Sequence, residues 1–363
     1  MRSDICIVSL MNLKHSSLIS LFTNYLEDKN ISYDIIYADK YGIEEKNNAK
    51  NIYKFELKFK DTTSKIQKVI KYIEFAKFAK NILKENDYKL IIVWRTETAL
   101  LLFRYLYFSK SKFILNIRDY CFEKNVIIQS LIKKLVDKST FTAISSKGFL
   151  RFLPRSNKYI FVNSYNKTIL PNEIEKNMRA SKPINISFIG YVRFIDQDIN
   201  LINEFKNDER FTLSFIGAGS EKLRDFIKEN KIKNVILEDG FPVDETMRYL
   251  RNADIINNLY GSGIISLDTA ISTRYYHSVL LNKPILVSEG TYMSTLVDEN
   301  QGYKVNIYNG LADKIYDWYL KIDFEKLYLD NQNKLKEIIK EDIEFIDELN
   351  KIFEDGGKYQ TVI

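Results

Sequence analysis

The sequence predicts an α/β protein of two doubly wound domains in tandem, each a parallel sheet covered by helices on both faces, followed by a helical tail. Three observations lead there. Short β-branched runs alternate with helix-length amphipathic segments through both halves, the pattern of βαβ crossovers feeding a parallel sheet. The alternation lapses once, between Asn163 and Pro183, into Asn, Lys, Ser and Pro, which reads as a linker. The length of 363 residues gives each of two domains enough chain to bury its own core.

The first half opens with strand Asp4–Leu10, helix Ser16–Lys29 and strand Ile31–Ala38, a βαβ unit. Strand Tyr53–Phe59, helix Ser64–Glu85, strand Leu90–Trp94, helix Thr98–Phe108, strand Phe113–Ile117, helix Val126–Asp137 and strand Thr140–Ile144 follow. The second half repeats the rhythm: strand Asn185–Ile189, helix Ile199–Lys206, strand Thr212–Ile216, helix Glu221–Glu229, strand Val235–Glu238, helix Asp244–Arg251 and strand Asp254–Asn257. It closes with helix Tyr275–Leu281, strand Pro284–Val287 and helix Tyr292–Asp298. Phe324–Glu354 reads as one long or broken helix. The predicted domains are therefore 1–165 and 184–322, joined by linker 166–183 and trailed by 323–363. Open parallel sheets bind ligands beyond the carboxyl ends of their strands, so two such domains facing one another make a cleft where chemistry is expected.

Composition narrows the class. Hydrophobic content of 45% with 28% charge, 5 Pro and 13 Gly is that of a folded globular chain. Cys6 and Cys121 lie far apart in apolar runs, which argues against a disulfide framework and for a reducing compartment. His15 and His277 are the only histidines, too few for an ordinary four-ligand zinc site with two cysteines so separated. Met1–Leu10 enters a β-branched run without a basic n-region or cleavage site, so a cytoplasmic location is expected. No uncharged apolar run reaches spanning length, so membrane contact would be peripheral. The net charge of +6 is spread along the chain; nucleic acid is not an expected partner, whereas anionic lipid or a diphosphate suits the excess.

The most informative segment is Phe188-Ile189-Gly190-Tyr191-Val192-Arg193, a strand running into a glycine and then an arginine. A strand-end glycine lets a ligand approach the backbone and Arg193 adds fixed positive charge, suiting a diphosphate; a plain turn with a solvated arginine is the other reading. Gly217-Ala218-Gly219 lacks the third glycine of a dinucleotide fingerprint, so NAD is not expected. Gly290-Thr291 precedes an apolar helical stretch, where free N–H groups bind phosphate and where Thr291 would also serve as N-cap. Asp196-Gln197-Asp198 spells a triplet that some metal-dependent sugar transferases use, but its surroundings do not fit that fold, and no metal is expected. In the first half, Arg95 and Glu97 end one strand and Arg118 and Asp119 the next, as acceptor-side candidates or as surface salt bridges.

Four segments in register resemble the C-terminal domain of bacterial polysaccharide glycosyltransferases related to the large retaining GT-B family: Phe188–Gln197, Phe211–Gly219, Val235–Ile256 and Ser272–Ser288. The resemblance implies two Rossmann-like domains and a nucleotide-sugar substrate, with no further cofactor. It places Gly190, Tyr191, Gly217, Arg274, His277, Gly290 and Thr291 at the donor, with Arg193 catalytic; Leu115–Tyr120 resembles the Ile-Arg-Asp stretch of the same transferases, which adds Asp119 as catalytic and Arg118 on the acceptor side, with Arg95 and Glu97 as acceptor-side candidates from the preceding strand end. The implied reaction moves a sugar, from a UDP-sugar by expectation, to a hydroxyl of a growing, lipid-linked surface polysaccharide of the capsule type. Retention and independence from metal are also implied. Two departures stand out. His277 occupies the position of the family's ribose-binding glutamate, and Ser9-Leu10-Met11-Asn12 replaces its Gly-Gly loop. These departures keep a non-catalytic subunit bound to a partner transferase in play; a nucleotide-sugar 2-epimerase is a second rival, poorly served by two histidines.

Helix Ser64–Glu85 carries Ile66, Val69, Ile70, Ile73, Ala76 and Ile82, read as one face, with lysines largely elsewhere. It is either a sheet-covering helix with a lysine-rich solvent side or a helix that lies on anionic lipid.

Overall fold

The computed structural model describes residues 3–13, 18–45, 47–60, 62–166, 171, 173–177, 183–306 and 308–354. Contacts divide the chain into two compact units, one of Met1–Asn163 with Glu341–Ile363, the other of Ser164–Lys340. Most of the predicted linker, and His15, lie outside the described residues.

The first unit contains β1 (Ile5–Ser9), α1 (Ser20–Asp28), β2 (Tyr33–Asp39), β3 (Asn51–Glu56), α2 (Lys65–Asn86), β4 (Leu90–Trp94), α3 (Thr96–Leu101), α4 (Phe103–Phe108), β5 (Lys112–Ile117), α5 (Val126–Lys138), β6 (Thr142–Ile144) and β7 (Tyr159–Phe161). Its seven parallel strands run in the order β3-β2-β1-β4-β5-β6-β7. Every residue of β1, β2 and β4 is buried, because helices cover both faces; that is why these strands read as unbroken apolar runs rather than alternations. Side chains fix the helix starts: Ser64 and Gln67 form a capping box at α2, and Asn125 caps α5, satisfying N–H groups that have no intrahelical acceptor.

The second unit contains β8 (Ile184–Ile189), α6 (Ile195–Phe205), β9 (Phe211–Ile216), α7 (Arg224–Glu229), β10 (Val235–Glu238), α8 (Thr246–Asn252), β11 (Ile255–Asn258), α9 (Ile265–Thr269), α10 (Thr273–Leu280), β12 (Ile285–Ser288), α11 (Tyr292–Leu296), β13 (Gly302–Val305) and α12 (Leu311–Lys321). Its six parallel strands run β10-β9-β8-β11-β12-β13. Both sheets thus contain the 3-2-1-4-5-6 winding of a Rossmann-like domain, which the first extends by a seventh strand.

The predicted helix Thr98–Phe108 is two helices, because Leu102 leaves the helical region at φ −95° and ψ 9°. Phe324–Glu354 is a single helix, α13. Ile338 belongs to the core of the second unit, whereas Phe345, Leu349 and Ile352 belong to that of the first. There the Phe22 and Phe345 rings meet edge to face at 5.3 Å. No helix among the described residues is long and apolar enough to cross a membrane. Cys6 and Cys121 are free thiols.

Candidate functional site

In the second unit the strand order reverses between β8 and β11, the place where an open α/β sheet binds its ligand. Arg274, in the first turn of α10, sits across that reversal. Its Nη2 donates to the Ile189 carbonyl at the end of β8, 2.6 Å away, and its Nη1 donates to the Tyr260 hydroxyl just beyond β11. The guanidinium carbon lies 3.9 Å from the centroid of the Phe188 ring. Ser272 caps α10 by accepting from the Arg274 N–H, which fixes where this side chain starts.

Arg274 is only 5% exposed and forms no ion pair with any described carboxylate within 4.0 Å. Ring face, carbonyl and phenol oxygen partly compensate a buried cation. The nearest acidic influence is Asp198, in the first turn of α6, itself 2% exposed; burial raises its pKa to about 7 against the pull of Arg274. A buried positive charge opposed by a carboxyl that burial keeps partly protonated near neutrality leaves these strand ends electropositive.

The predicted glycines serve this arrangement. Gly190 has φ +127°, and a Cβ there would lie 2.8 Å from Arg274 Nη2; the glycine makes room for the guanidinium. Gly217 and Gly219 also have positive φ, and a Cβ on either would run into the backbone carbonyl of Gly190 or Val192. The Gly190 N–H donates to the Ile216 carbonyl and the Val192 N–H to the Ala218 carbonyl. The loops after β8 and β9 are therefore locked backbone to backbone.

Arg193 is exposed, with its guanidinium carbon 4.8 Å from the Phe194 centroid and 5.8 Å from that of Tyr260. Tyr191 is exposed beside it. Tyr260 thus underlies both arginines. Thr291 caps α11 by accepting from the Ser294 N–H and donates its own hydroxyl hydrogen to the Ser288 carbonyl. Gly290, at φ +79°, has open space around it. With five residues, α11 has too few peptide units for a strong macrodipole, so an anion there would be held by local N–H groups.

His277 lies one turn after Arg274 and is half-buried. Its Nδ1 is buried without a hydrogen-bond partner among the described residues. Burial, with the Arg274 charge adding to it, lowers its pKa to about 3, so the ring is neutral at physiological pH. Between pH 3 and 6.5 the unfolded state holds a proton that the folded state does not, so this residue makes stability fall as the pH drops below about 6.5. His277→Gln is expected to flatten that limb of the stability profile and to leave it unchanged above pH 7.5, as measured by thermal unfolding across pH.

In the first unit the strand order reverses between β1 and β4, and three predicted residues gather there. Arg95 follows β4 directly at φ +75°, an uncommon conformation for a residue with a side chain. Its Nε and Nη2 donate to the two Glu97 carboxylate oxygens at 3.3 and 3.1 Å, and Asp119 Oδ2 lies 3.8 Å from Nη2. Arg118 is placed differently, with its guanidinium 5.7 Å from the Trp94 ring. In place of a Gly-Gly loop, side chains hold Ser9–Asn12: Ser9 Oγ accepts from the Met11 N–H, Thr98 Oγ1 accepts from the Leu10 N–H, and Asn12 donates to Asp39 at 2.8 Å.

Sequence reasoning missed Tyr260, Asp198 as a buried acid, and Glu123, a fully buried carboxyl whose pKa burial raises. Tyr260 had a signal, since Tyr260-Gly261 follows a strand as Gly190-Tyr191 does. The other two are defined by burial alone.

Fold and site define a two-domain α/β protein of GT-B architecture, with an electropositive strand-order reversal in its second unit. Over its whole length the chain is similar in structure to sucrose-phosphate synthase from Thermosynechococcus elongatus, with a TM-score of 0.73 at 10% identity, covering 98% of this chain and 100% of that one. It is similar to a glycosyltransferase from Rickettsia africae, at 0.61 and 12%, covering 97% and 99%. It also resembles the UDP-GlcNAc 2-epimerase of Neisseria meningitidis bound to UDP-GlcNAc, at 0.55 and 11%, covering 96% and 99%. No protein-family model matches the sequence, and no curated protein matches it.

Proposed function

We propose that this protein is a glycosyltransferase that moves a sugar from a nucleoside diphosphate sugar, a UDP-sugar by preference, to a hydroxyl of a growing lipid-linked surface polysaccharide, with retention. The observation that carries the reading is the buried Arg274 at the strand-order reversal, which forms no ion pair with any described carboxylate, with exposed Arg193 beside it. Glycosidic cleavage leaves negative charge on the departing diphosphate while the sugar becomes oxocarbenium-like. Fixed cations aimed at that oxygen stabilise the transition state more than the ground state.

In this scheme Arg193 meets the phosphates directly. Both Nη atoms of Arg274 are committed to Ile189 and Tyr260, so it acts by its field and by shaping the loop. Local N–H groups at Gly290-Thr291 receive a phosphate oxygen, and neutral His277 orients the nucleotide with one ring nitrogen, as donor or acceptor but never both ways at once. Tyr191 closes over the donor. The Arg95, Glu97 and Asp119 cluster positions the acceptor, and Asp119, whose Oδ1 accepts from the Tyr120 N–H at 2.9 Å, is assigned the catalytic role there; Arg118 supports Trp94 beneath it.

The test is a thermal-shift screen of nucleoside diphosphates and their sugars, followed by hydrolysis and transfer assays. Uridine compounds are expected to raise the melting temperature most, since a ligand that binds only the folded state stabilises it, and slow UDP-sugar hydrolysis should accompany binding. The fold shared with a UDP-GlcNAc 2-epimerase supports a second reading. Conversion of a UDP-sugar to its 2-epimer, with no free UDP or transferred sugar, would select it.

A further inference from the structure

The helix α2 has two apolar faces, and only one of them is used. Phe75, Ala79, Ile82 and Leu83 are buried in the first unit. Ile66, Val69, Ile70 and Ile73 point away, at 74%, 55%, 49% and 46% exposure. At about 100° per residue these four fall within one stripe roughly 100° wide, and Ile82 lies about 160° round the helix from Ile66. Packing on the sheet explains the first set and leaves the second unexplained.

The stripe does not end at Ile73. Lys77, Lys80 and Lys84 fall on the same line, and all are exposed, so one side of α2 is aliphatic for about two turns and then cationic for about two more. Beside the aliphatic end, a groove runs along Lys58, Phe59, Lys60, Thr63 and Lys71. Glu74, the acid nearest the stripe, is paired with Lys71 at 2.8 Å. The cation that faces outward is lysine throughout, and the stripe carries no aromatic side chain. Protein interfaces select the opposite composition, enriched in aromatics and Arg and depleted of Lys. A convex ridge of aliphatic side chains flanked by lysines suits a bilayer, where the side chains enter the acyl boundary and the ammonium groups stay among anionic headgroups.

We propose that the outward face of α2 docks this protein on the surface of an anionic lipid bilayer, with Ile66, Val69, Ile70 and Ile73 inserted and Lys77, Lys80 and Lys84 on the headgroups. The helix then lies along the membrane plane, and the attraction weakens with salt because the lysines act through screened charge.

The experiment is co-sedimentation of the full-length protein with vesicles of phosphatidylcholine alone and of phosphatidylcholine with phosphatidylglycerol, at low and high salt. Three proteins are compared: wild type, an Ile66→Asn/Ile70→Asn variant and a Lys77→Glu/Lys80→Glu/Lys84→Glu variant. All five positions are exposed, and thermal unfolding verifies that each variant is folded. Wild type is expected to bind the anionic vesicles at least about tenfold better than the neutral ones, with binding weakened by salt. Each variant is expected to lose at least about tenfold of that binding while keeping its affinity for uridine nucleotides. Absence of wild-type binding to anionic vesicles overturns the proposal, as does undiminished binding by both variants. Concentration-dependent dimerisation that the isoleucine variant abolishes, without vesicle binding by wild type, assigns the stripe to a second copy of the chain and overturns it equally.

Discussion

Arg193→Ala is expected to lower kcat/KM for sugar transfer by about 10²- to 10³-fold, the loss typical of removing one preorganised charge stabiliser, with the melting temperature nearly unchanged. The two halves of this expectation have separate causes. Arg193 is exposed and is held by the Phe194 and Tyr260 rings rather than by a carboxylate, so its removal opens no cavity and strands no buried charge. Surface changes of that kind move stability by less than about 0.5 kcal/mol. The activity loss follows from where charge develops: the diphosphate is more negative as it leaves than in the bound donor, so kcat should fall more than KM rises. Arg193→Lys should recover only part of the rate, because an ammonium lacks the planar group that lies over the two rings and forks toward phosphate. Steady-state kinetics with a UDP-sugar, beside thermal unfolding of the same preparations, checks both halves; near-normal transfer by the alanine variant would remove Arg193 from the mechanism.

The parallel strands were legible because tertiary structure and local sequence agree there. A strand buried on both faces needs apolar side chains at every position, and Leu90-Ile91-Ile92-Val93-Trp94 states that without ambiguity. Shorter elements carry too few residues to declare a period. β7 has three residues, all half-buried, α9 has five, and the break between α3 and α4 falls at a leucine with no glycine or proline to mark it. On α2 the pattern of isoleucines was visible, but reading Ile82 with Ile66 merged two opposed faces into one.

The site divides in the same way. Strand-end glycines and the arginines near them stand out in the chain, because few other residues tolerate those backbone positions. What the glycines do could not be read. Gly190 makes room for Arg274, a residue 84 positions later, and Gly217 makes room for Gly190; both roles are contacts between loops that only the sheet order brings together. Asp198 and Glu123 look like ordinary helix-start and loop acids in sequence, and burial alone makes them unusual. Arg95, Glu97 and Asp119 could be picked because each follows a strand within three residues, and the winding of the first sheet supplies their proximity.

Gly217→Ala should have the largest effect on the second unit, and for a reason opposite to that of Arg193. At φ +134° an alanine is strained wherever its methyl points, at a cost of about 1–3 kcal/mol. Here the methyl also meets the Gly190 carbonyl, a backbone atom that no rotamer change can move aside. Relief requires the loops after β8 and β9 to separate, which breaks the bonds from the Gly190 N–H to Ile216 and from the Val192 N–H to Ala218. It also shifts the carbonyl end of β8 on which Arg274 rests. The expected loss is at least about 3 kcal/mol, or roughly 6–12 °C for a unit of this size, together with loss of uridine-nucleotide binding. Gly290→Ala is the control: it too has positive φ, at +79°, but nothing within 4 Å of the added methyl, so it should pay the strain alone, about 1 kcal/mol, and keep the loops in place. Thermal unfolding with and without UDP distinguishes the two. If the Gly217 variant melts and binds like wild type, the two loops are not locked, and Arg274 must be positioned by Ser272 and Tyr260 without them.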